Sequence, residues 1–292
     1  MELKATLCRL RREHISIFSE KTMSDIEHLK HRCDGYRSTK FYEGISKIMF
    51  NVLEEDAYRH SQQLENVKRK RMNNFQSIYN ESMDLYEKNK TKIDESFLFK
   101  MAKLVAPEAF GNSPINTFRH TPARICGNLD FYIPPEPSLI RSILEDFIWV
   151  MNSQVFEGIS GSVKRALLFH FWLVMIHPFP DGNGRTARHV QNIILLKHKI
   201  PPVLILRKER KDYLDKLEYA SFYAKSRARE IWSILYERED EFNGYAYLEK
   251  NDLLVKLYLS PTEYETGFYD YLASKIVYGF QSILSALDKE RK

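Results

Sequence analysis

Along the first 90 residues apolar positions recur every three or four residues, which predicts helices rather than strands. Phe41, Ile45, Ile48, Met49, Val52 and Leu53 fall on one face, and Phe75, Ile78, Tyr79, Met83 and Tyr86 on another. The intervening Glu54 to Asn74 is mostly polar, with Lys68-Arg69-Lys70-Arg71 its densest basic cluster. An exposed helix face is favoured there over an acidic-partner or nucleic-acid patch. Asp94 is placed to cap a helix from Glu95 to about Val105, and Pro107, Gly111 and Pro114 end it. Helical spacing returns at Leu139, Ile140, Ile143, Leu144, Phe147 and Ile148. Ser162 to Ile176 is apolar nearly all round after Arg165, so it reads as a buried central helix. Within it, His170 reads as a satisfied core histidine, since no second metal ligand stands at helical spacing.

Beyond it, Val190, Ile193, Ile194 and Leu196 mark a helix that stops before Pro201-Pro202. Val203 to Leu206 follows as an extended piece and Lys208 to Tyr223 as another helix. In the tail, Asn243-Gly244 is a turn signal, and Ser260-Pro261-Thr262-Glu263 reads as a capping box. It would open a helix to Leu287, with Phe268, Leu272, Ile276, Phe280 and Leu284 on its apolar side. Core packing is the favoured role for this helix, and a homodimer contact the alternative. Thr117-Phe118-Arg119 and Ala123-Arg124-Ile125-Cys126, before Gly127-Asn128, make the one convincing non-helical stretch.

The chemistry concentrates in His177-Pro178-Phe179-Pro180-Asp181-Gly182-Asn183-Gly184-Arg185-Thr186-Ala187-Arg188, between two helices. Gly182 and Gly184 remove Cβ obstruction and allow positive φ, so successive amides can turn to one anion at a helix N-terminus. Arg185 and Arg188, three apart, can hold two phosphates of one polyphosphate. Asp181 is a hard oxygen ligand suited to Mg²⁺. His177 is the group there that takes up a proton near neutral pH.

This stretch resembles the signature of the Fic family, His-Pro-Phe-x-Asp/Glu-Gly-Asn-Gly/Lys-Arg-x-x-Arg, at every specified position. The resemblance implies an all-α Fic fold with a small β-hairpin flap, and transfer of AMP from ATP to a Ser, Thr or Tyr hydroxyl of a target protein. By the same resemblance His177 is the general base and Asp181 the Mg²⁺ ligand. Gly182, Asn183, Gly184 and Arg185 hold the α- and β-phosphates, Arg188 the γ-phosphate, and buried Phe179 fixes the loop. Gly184 favours nucleotidyl transfer, since the related Doc kinases carry Lys there. Phe118-Arg119 matches the pair that opens the target-docking flap. Tyr213 stands at the first of two adenine-pocket tyrosines; Leu214 and Ser221 replace the second Tyr and the Asn. The family's inhibitory pattern, Ser/Thr-x-x-x-Glu-Gly/Asn, is met by Thr39 to Gly44 and by Ser153 to Gly158. A helix of about 1.5 Å per residue would hold Glu157 roughly 20 Å from the loop, so Glu43 is preferred as the inhibitory carboxylate paired with Arg188. Removal of AMP from a modified protein is the competing activity, and a non-catalytic nucleotide sensor the competing class.

Composition changes this picture little. At 292 residues, with 43% hydrophobic and 13% aromatic content, the chain is of globular type. The boundaries expected are an N-terminal helical region (1–95) bearing the inhibitory motif, a Fic core (96–223) and a C-terminal helical extension (224–292). A net charge of +5, from 44 basic and 39 acidic residues, does not argue for nucleic acid. Cys8, Cys33 and Cys126 show no CxxC spacing, and the charged first 20 residues lack a signal-peptide core. Ala166 to Ile176 is too short to span a bilayer. A cytoplasmic protein without membrane partners is expected.

Overall fold

Residues 17–39, 42–65, 75–110, 117–126, 131–236 and 244–290 are described by a computed structural model. Cys8, Lys40, Phe41, the Lys68–Arg71 cluster, Gly127, Asn128 and Asn243 lie outside the described residues. In chain order the helices are α1 (Glu20–Gly35), α2 (Tyr42–Leu64), α3 (Phe75–Lys88), α4 (Glu95–Val105), α5 (Ile140–Ser153), α6 (Gly158–Ile176), α7 (Asn183–Lys197), α8 (Arg210–Tyr236), α9 (Gly244–Leu259) and α10 (Glu263–Glu290). Between α4 and α5, β1 (Ile125–Cys126) and β2 (Phe131–Tyr132) form a two-residue antiparallel ladder.

The all-round apolar segment is the centre of the molecule. α6 is long and apolar enough to cross a membrane, yet 72% of that stretch is buried inside the fold. α7 and α5 pack along its sides, with Phe147 against Phe169, Phe268 against Phe171 and Tyr258 against Trp172. His170 is fully buried, as a core histidine should be. α4 begins at Asp94, whose Oδ1 accepts the Phe97 amide at 2.7 Å, as its sequence signal requires.

Two local readings are corrected. Ile48 and Val52 are 62% and 47% exposed, so the buried stripe of α2 is rotated from the expected one and runs through Leu53, Ala57 and Leu64. The helix also continues through the polar stretch as far as Leu64 and buries Glu54 and Gln62 there. In the tail, the cap lies two residues later than expected. Thr262 Oγ1 accepts the Glu265 amide, and Glu265 Oε1 accepts the Thr262 amide.

α10 packs against α1, α2 and α8, and buries Phe268, Leu272, Ile276, Phe280 and Leu284 in the same core as α6. Its approach is closest at Gly279, where a Cβ would stand 2.5 Å from the Pro201 Cβ. Gly267, on the same helix, has nothing within 4 Å of its own Cβ position. Gly279→Ala is therefore expected to lower the urea midpoint, by about 1–3 kcal/mol of stability, through overpacking. Gly267→Ala should raise it, by about 0.5–1 kcal/mol, through helix propensity.

Candidate active site

The loop begins where α6 is stopped. His177 adopts φ 52°, ψ 55°, a left-handed conformation that ends the helix while its amide still bonds the Leu173 carbonyl at 3.0 Å. The imidazole Nδ1 lies 3.3 Å from the Val174 carbonyl. A carbonyl can only accept, so Nδ1 carries the proton and Nε2 keeps a free lone pair. Burial pushes the His177 pKa down to about 4; Arg119 acts in the same direction, and the Val174 bond, Asp181 and Glu65 oppose it. The group at neutral pH is thus a neutral base.

Each turn of the loop is pinned by its own residues. Asn183 is buried, accepting the Phe179 amide at 2.9 Å through Oδ1 and donating to the Phe179 carbonyl at 2.8 Å through Nδ2. Its side chain therefore clamps the loop from within. Phe179 sits among Phe99, Phe110 and Phe118, with ring centroids 5.5, 5.9 and 6.5 Å away. Gly182 has φ 77°, and a Cβ there would fall 2.3 Å from the Ala106 Cβ, so both conformation and space require glycine. α7 starts immediately afterwards. The amides of its first turn have no intrahelical acceptor, and no side chain caps them.

Phe118 and Arg119 do not reach outward to a target. Arg119 is 4% exposed and its amide donates to Pro178 O at 2.9 Å. The guanidinium donates to the carbonyls of His177 (2.8 Å), Thr121 (3.0 Å) and Pro135. Phe118 packs under Phe179, with Arg141 over its outer face at 5.5 Å. The pair tethers the β1–β2 segment to the histidine loop. A rigid joint, not a docking surface, is what it forms.

The two arginines are both buried. Arg185 donates to Glu108 and lies 3.5 Å from Asp181. Arg188 donates through Nε to Ser61 Oγ (2.8 Å), through Nη1 to the Tyr213 hydroxyl (3.3 Å), and through Nη2 to Ser61 O (3.3 Å) and Glu65 Oε1 (2.6 Å). Burial alone would raise the Glu65 carboxyl; Arg188, with Arg185 and Arg210, outweighs it and holds the group below the usual range.

Glu43 is not the partner of Arg188. It lies exposed in the first turn of α2, and Glu65 follows the last residue of that 23-residue helix. At about 1.5 Å per residue the two carboxylates are separated by roughly 30 Å of helix. Ser61-Gln62-Gln63-Leu64-Glu65-Asn66 is a third copy of the inhibitory pattern, passed over inside a stretch read as mostly polar with an exposed helix face. Its signal was available: the same six-residue spacing, here ending in Glu-Asn. Gly184 belongs to this contact too, since a Cβ there would lie 2.8 Å from Glu65 Oε1 and 3.1 Å from Arg188 Nη1.

Tyr213 is likewise relocated. Only 1% of it is exposed, and its hydroxyl bonds His170 Nε2 at 2.9 Å as well as Arg188. It offers no face to a base. For a metal, Asp181 presents an exposed carboxylate, 71% accessible, with Oδ1 accepting the Gly182 amide at 2.6 Å. Among the described residues no group of three His, Cys, Asp or Glu side chains could hold an ion. One carboxylate fits Mg²⁺ that brings most of its oxygen ligands from a polyphosphate and water, not a resident ion.

Residues 45–195 match the Fic/DOC family. Protein adenylyltransferase Fic of Aedes aegypti is 38% identical over 91 residues, covering 31% of this chain and 18% of that protein. That of Culex quinquefasciatus is 37% identical over 105 residues, covering 36% and 20%. The matched region thus spans about a fifth of these curated relatives. Among solved structures, a Fic domain containing signaling protein from Bacteroides thetaiotaomicron has a TM-score of 0.66 at 17% identity, covering 91% of this chain and 97% of that one. Fic-1 from C. elegans has a TM-score of 0.55 at 16% identity, covering 92% and 73%. At such identities the likeness is one of fold.

Gly182→Ala should destabilise the protein by on the order of 2 kcal/mol, from the left-handed backbone and the Ala106 contact, as read by urea denaturation. A second expectation concerns pH. Burial lowers the pKa of His170 to about 3, and those of His177 and His189 to about 4, all below the free value of 6.5. Between about pH 6.5 and pH 4 the unfolded chain binds more protons at these sites, so stability falls as pH falls through that window. Glu54, raised by burial to about 7, and Glu265, also raised by burial, oppose the trend. Three histidines outweigh them, and replacing His189 with Gln should flatten the midpoint-versus-pH slope.

Proposed function

The chain belongs to the Fic/DOC family, and from that premise we propose that it is a protein adenylyltransferase held inactive by Glu65. The observation that carries the reading is the Glu65–Arg188 bond at 2.6 Å, set beside a neutral His177 whose Nε2 is free. A target hydroxyl attacks the α-phosphate of ATP, His177 Nε2 takes its proton, and pyrophosphate leaves. Amides of the first turn of α7 receive the phosphates, with the buried charge of Arg185 behind them. Arg188 is the γ-phosphate ligand, and Glu65 competes with that phosphate for the same guanidinium. Mg²⁺, held by Asp181 and phosphate oxygens, would neutralise charge on the polyphosphate. The β1–β2 ladder, anchored through Arg119, offers main-chain edges along which a target segment could align. The proposed target is a protein bearing a Ser, Thr or Tyr hydroxyl.

Support for the adenylyl group comes from the names of the relatives and from Gly184, where a longer side chain would collide with Glu65 and Arg188. The test is label transfer from ATP to protein. Glu65→Gly should raise incorporation from α-labelled ATP by about tenfold or more, the expected scale for losing a charge-assisted contact that competes with substrate. Glu43→Gly should leave it unchanged, and His177→Ala added to Glu65→Gly should abolish it. Incorporation of a γ-label instead would make the enzyme a kinase. Loss, on Glu65→Gly, of AMP release from pre-modified protein would favour the hydrolytic reaction. Tight ATP binding without transfer in any variant would leave a nucleotide sensor.

A further inference from the structure

Four buried side chains form a hydrogen-bonded row whose direction is fixed at every step. Gln191 Nε2 donates to Asn192 Oδ1 at 3.2 Å, and Asn192 Oδ1 also accepts the Val203 amide at 2.9 Å. The Gln191 amide is thereby oriented with its oxygen towards His170, whose Nδ1 is 2.6 Å away. An amide oxygen only accepts, so His170 Nδ1 carries the hydrogen. Neutral imidazole then has a bare Nε2, and the Tyr213 hydroxyl, 2.9 Å from it, must donate. What remains on the Tyr213 oxygen is lone-pair density, and Arg188 Nη1 donates into it at 3.3 Å. His170, Gln191 and Tyr213 are all at most 1% exposed, so water does not compete for these positions.

The location of Arg188's partners gives this row a purpose. Apart from Tyr213, every hydrogen-bond partner of its side chain among the described residues lies in residues 61–65: Ser61 Oγ, Ser61 O and Glu65. Any movement of that segment strong enough to free the guanidinium removes all three together. The Tyr213 hydroxyl and ring, the latter 5.6 Å from the guanidinium carbon, belong to α8 and stay behind. A long cation released from its clamp would otherwise sample many rotamers and have to be reordered for each ligand.

The geometry points to Tyr213, polarised by the His170–Gln191 pair, as the positioning residue that keeps Arg188 aimed at the anion pocket once the 61–65 segment withdraws. His170 is the second member of the device: its single available tautomer forces the hydroxyl to present an acceptor. This inference rests on Arg188 as γ-phosphate ligand.

The experiment uses the full chain carrying Glu65→Gly, with the dissociation constants of ATP and ADP measured by calorimetry. Tyr213→Phe keeps the ring and removes the hydroxyl. It should reduce the preference for ATP over ADP by about tenfold, the scale of one charge-assisted bond, with ADP affinity unmoved. His170→Leu should do the same. His170→Gln, whose side-chain oxygen can again accept from Tyr213, should recover part of the preference. Equal weakening of ATP and ADP, or an unchanged preference in Tyr213→Phe where Arg188→Ala abolishes it, would overturn the role. If Arg188→Ala itself leaves the preference intact, the nucleotide reading has failed instead. The aiming role is then decided by NMR of the Arg188 guanidinium in the Glu65→Gly protein. Restricted rotation lost in Tyr213→Phe supports it, and rotation indifferent to Tyr213→Phe overturns it. In the same spectra His170 should show the Nδ1–H tautomer; an Nε2–H tautomer would remove the polarising step.

Discussion

A guanidinium without water governs this structure. Arg188 is 4% exposed and brings five N–H donors into the core, and a buried charge of that kind is tolerated only with acceptors on every side. α7 carries it, α8 supplies a hydroxyl, and the end of α2 supplies a hydroxyl, a carbonyl and a carboxylate. That demand explains why α2 continues through a polar stretch that would otherwise favour solvent. Its polar C-terminal turn is the complement of a buried cation.

The histidine loop obeys the opposite rule, because there the charge is excluded. Four phenylalanines, Phe99, Phe110, Phe118 and Phe179, form the floor, and Asn183 and Arg119 absorb the loop's carbonyls. A desolvated imidazole with its Nδ1 hydrogen spent on Val174 stays neutral. One side of the site thus holds a permanent positive charge and the other an unprotonated base, at positions 188 and 177 of one chain. Oxygen-rich polyphosphate and a hydroxyl nucleophile are the reactants such a division suits.

Side chains that a motif assigns to ligand binding are, in several cases, occupied by the protein itself. Asn183 closes the loop, Arg119 ties the β1–β2 segment to it, and Tyr213 sits behind Arg188. Spacing identifies which residues gather at a site. It does not say which atoms face outward, since that depends on competing donors and acceptors contributed from elsewhere in the chain.

The sequence alone determined the helical periodicity, the buried character of α6 and the Asp94 cap. It also placed residues 177–188 in one loop at the start of α7, because these features depend on residues close together in the chain. The partner of Arg188 was decided only in three dimensions. Three segments carry the same six-residue pattern, and short-range composition cannot rank them; the path of α2 across α7 brings residue 65, and not 43 or 157, to the guanidinium. The exposed positions of Ile48 and Val52 were decided in the same way. A helix's apolar residues do not fix its rotation when buried polar partners at its far end impose a stronger constraint.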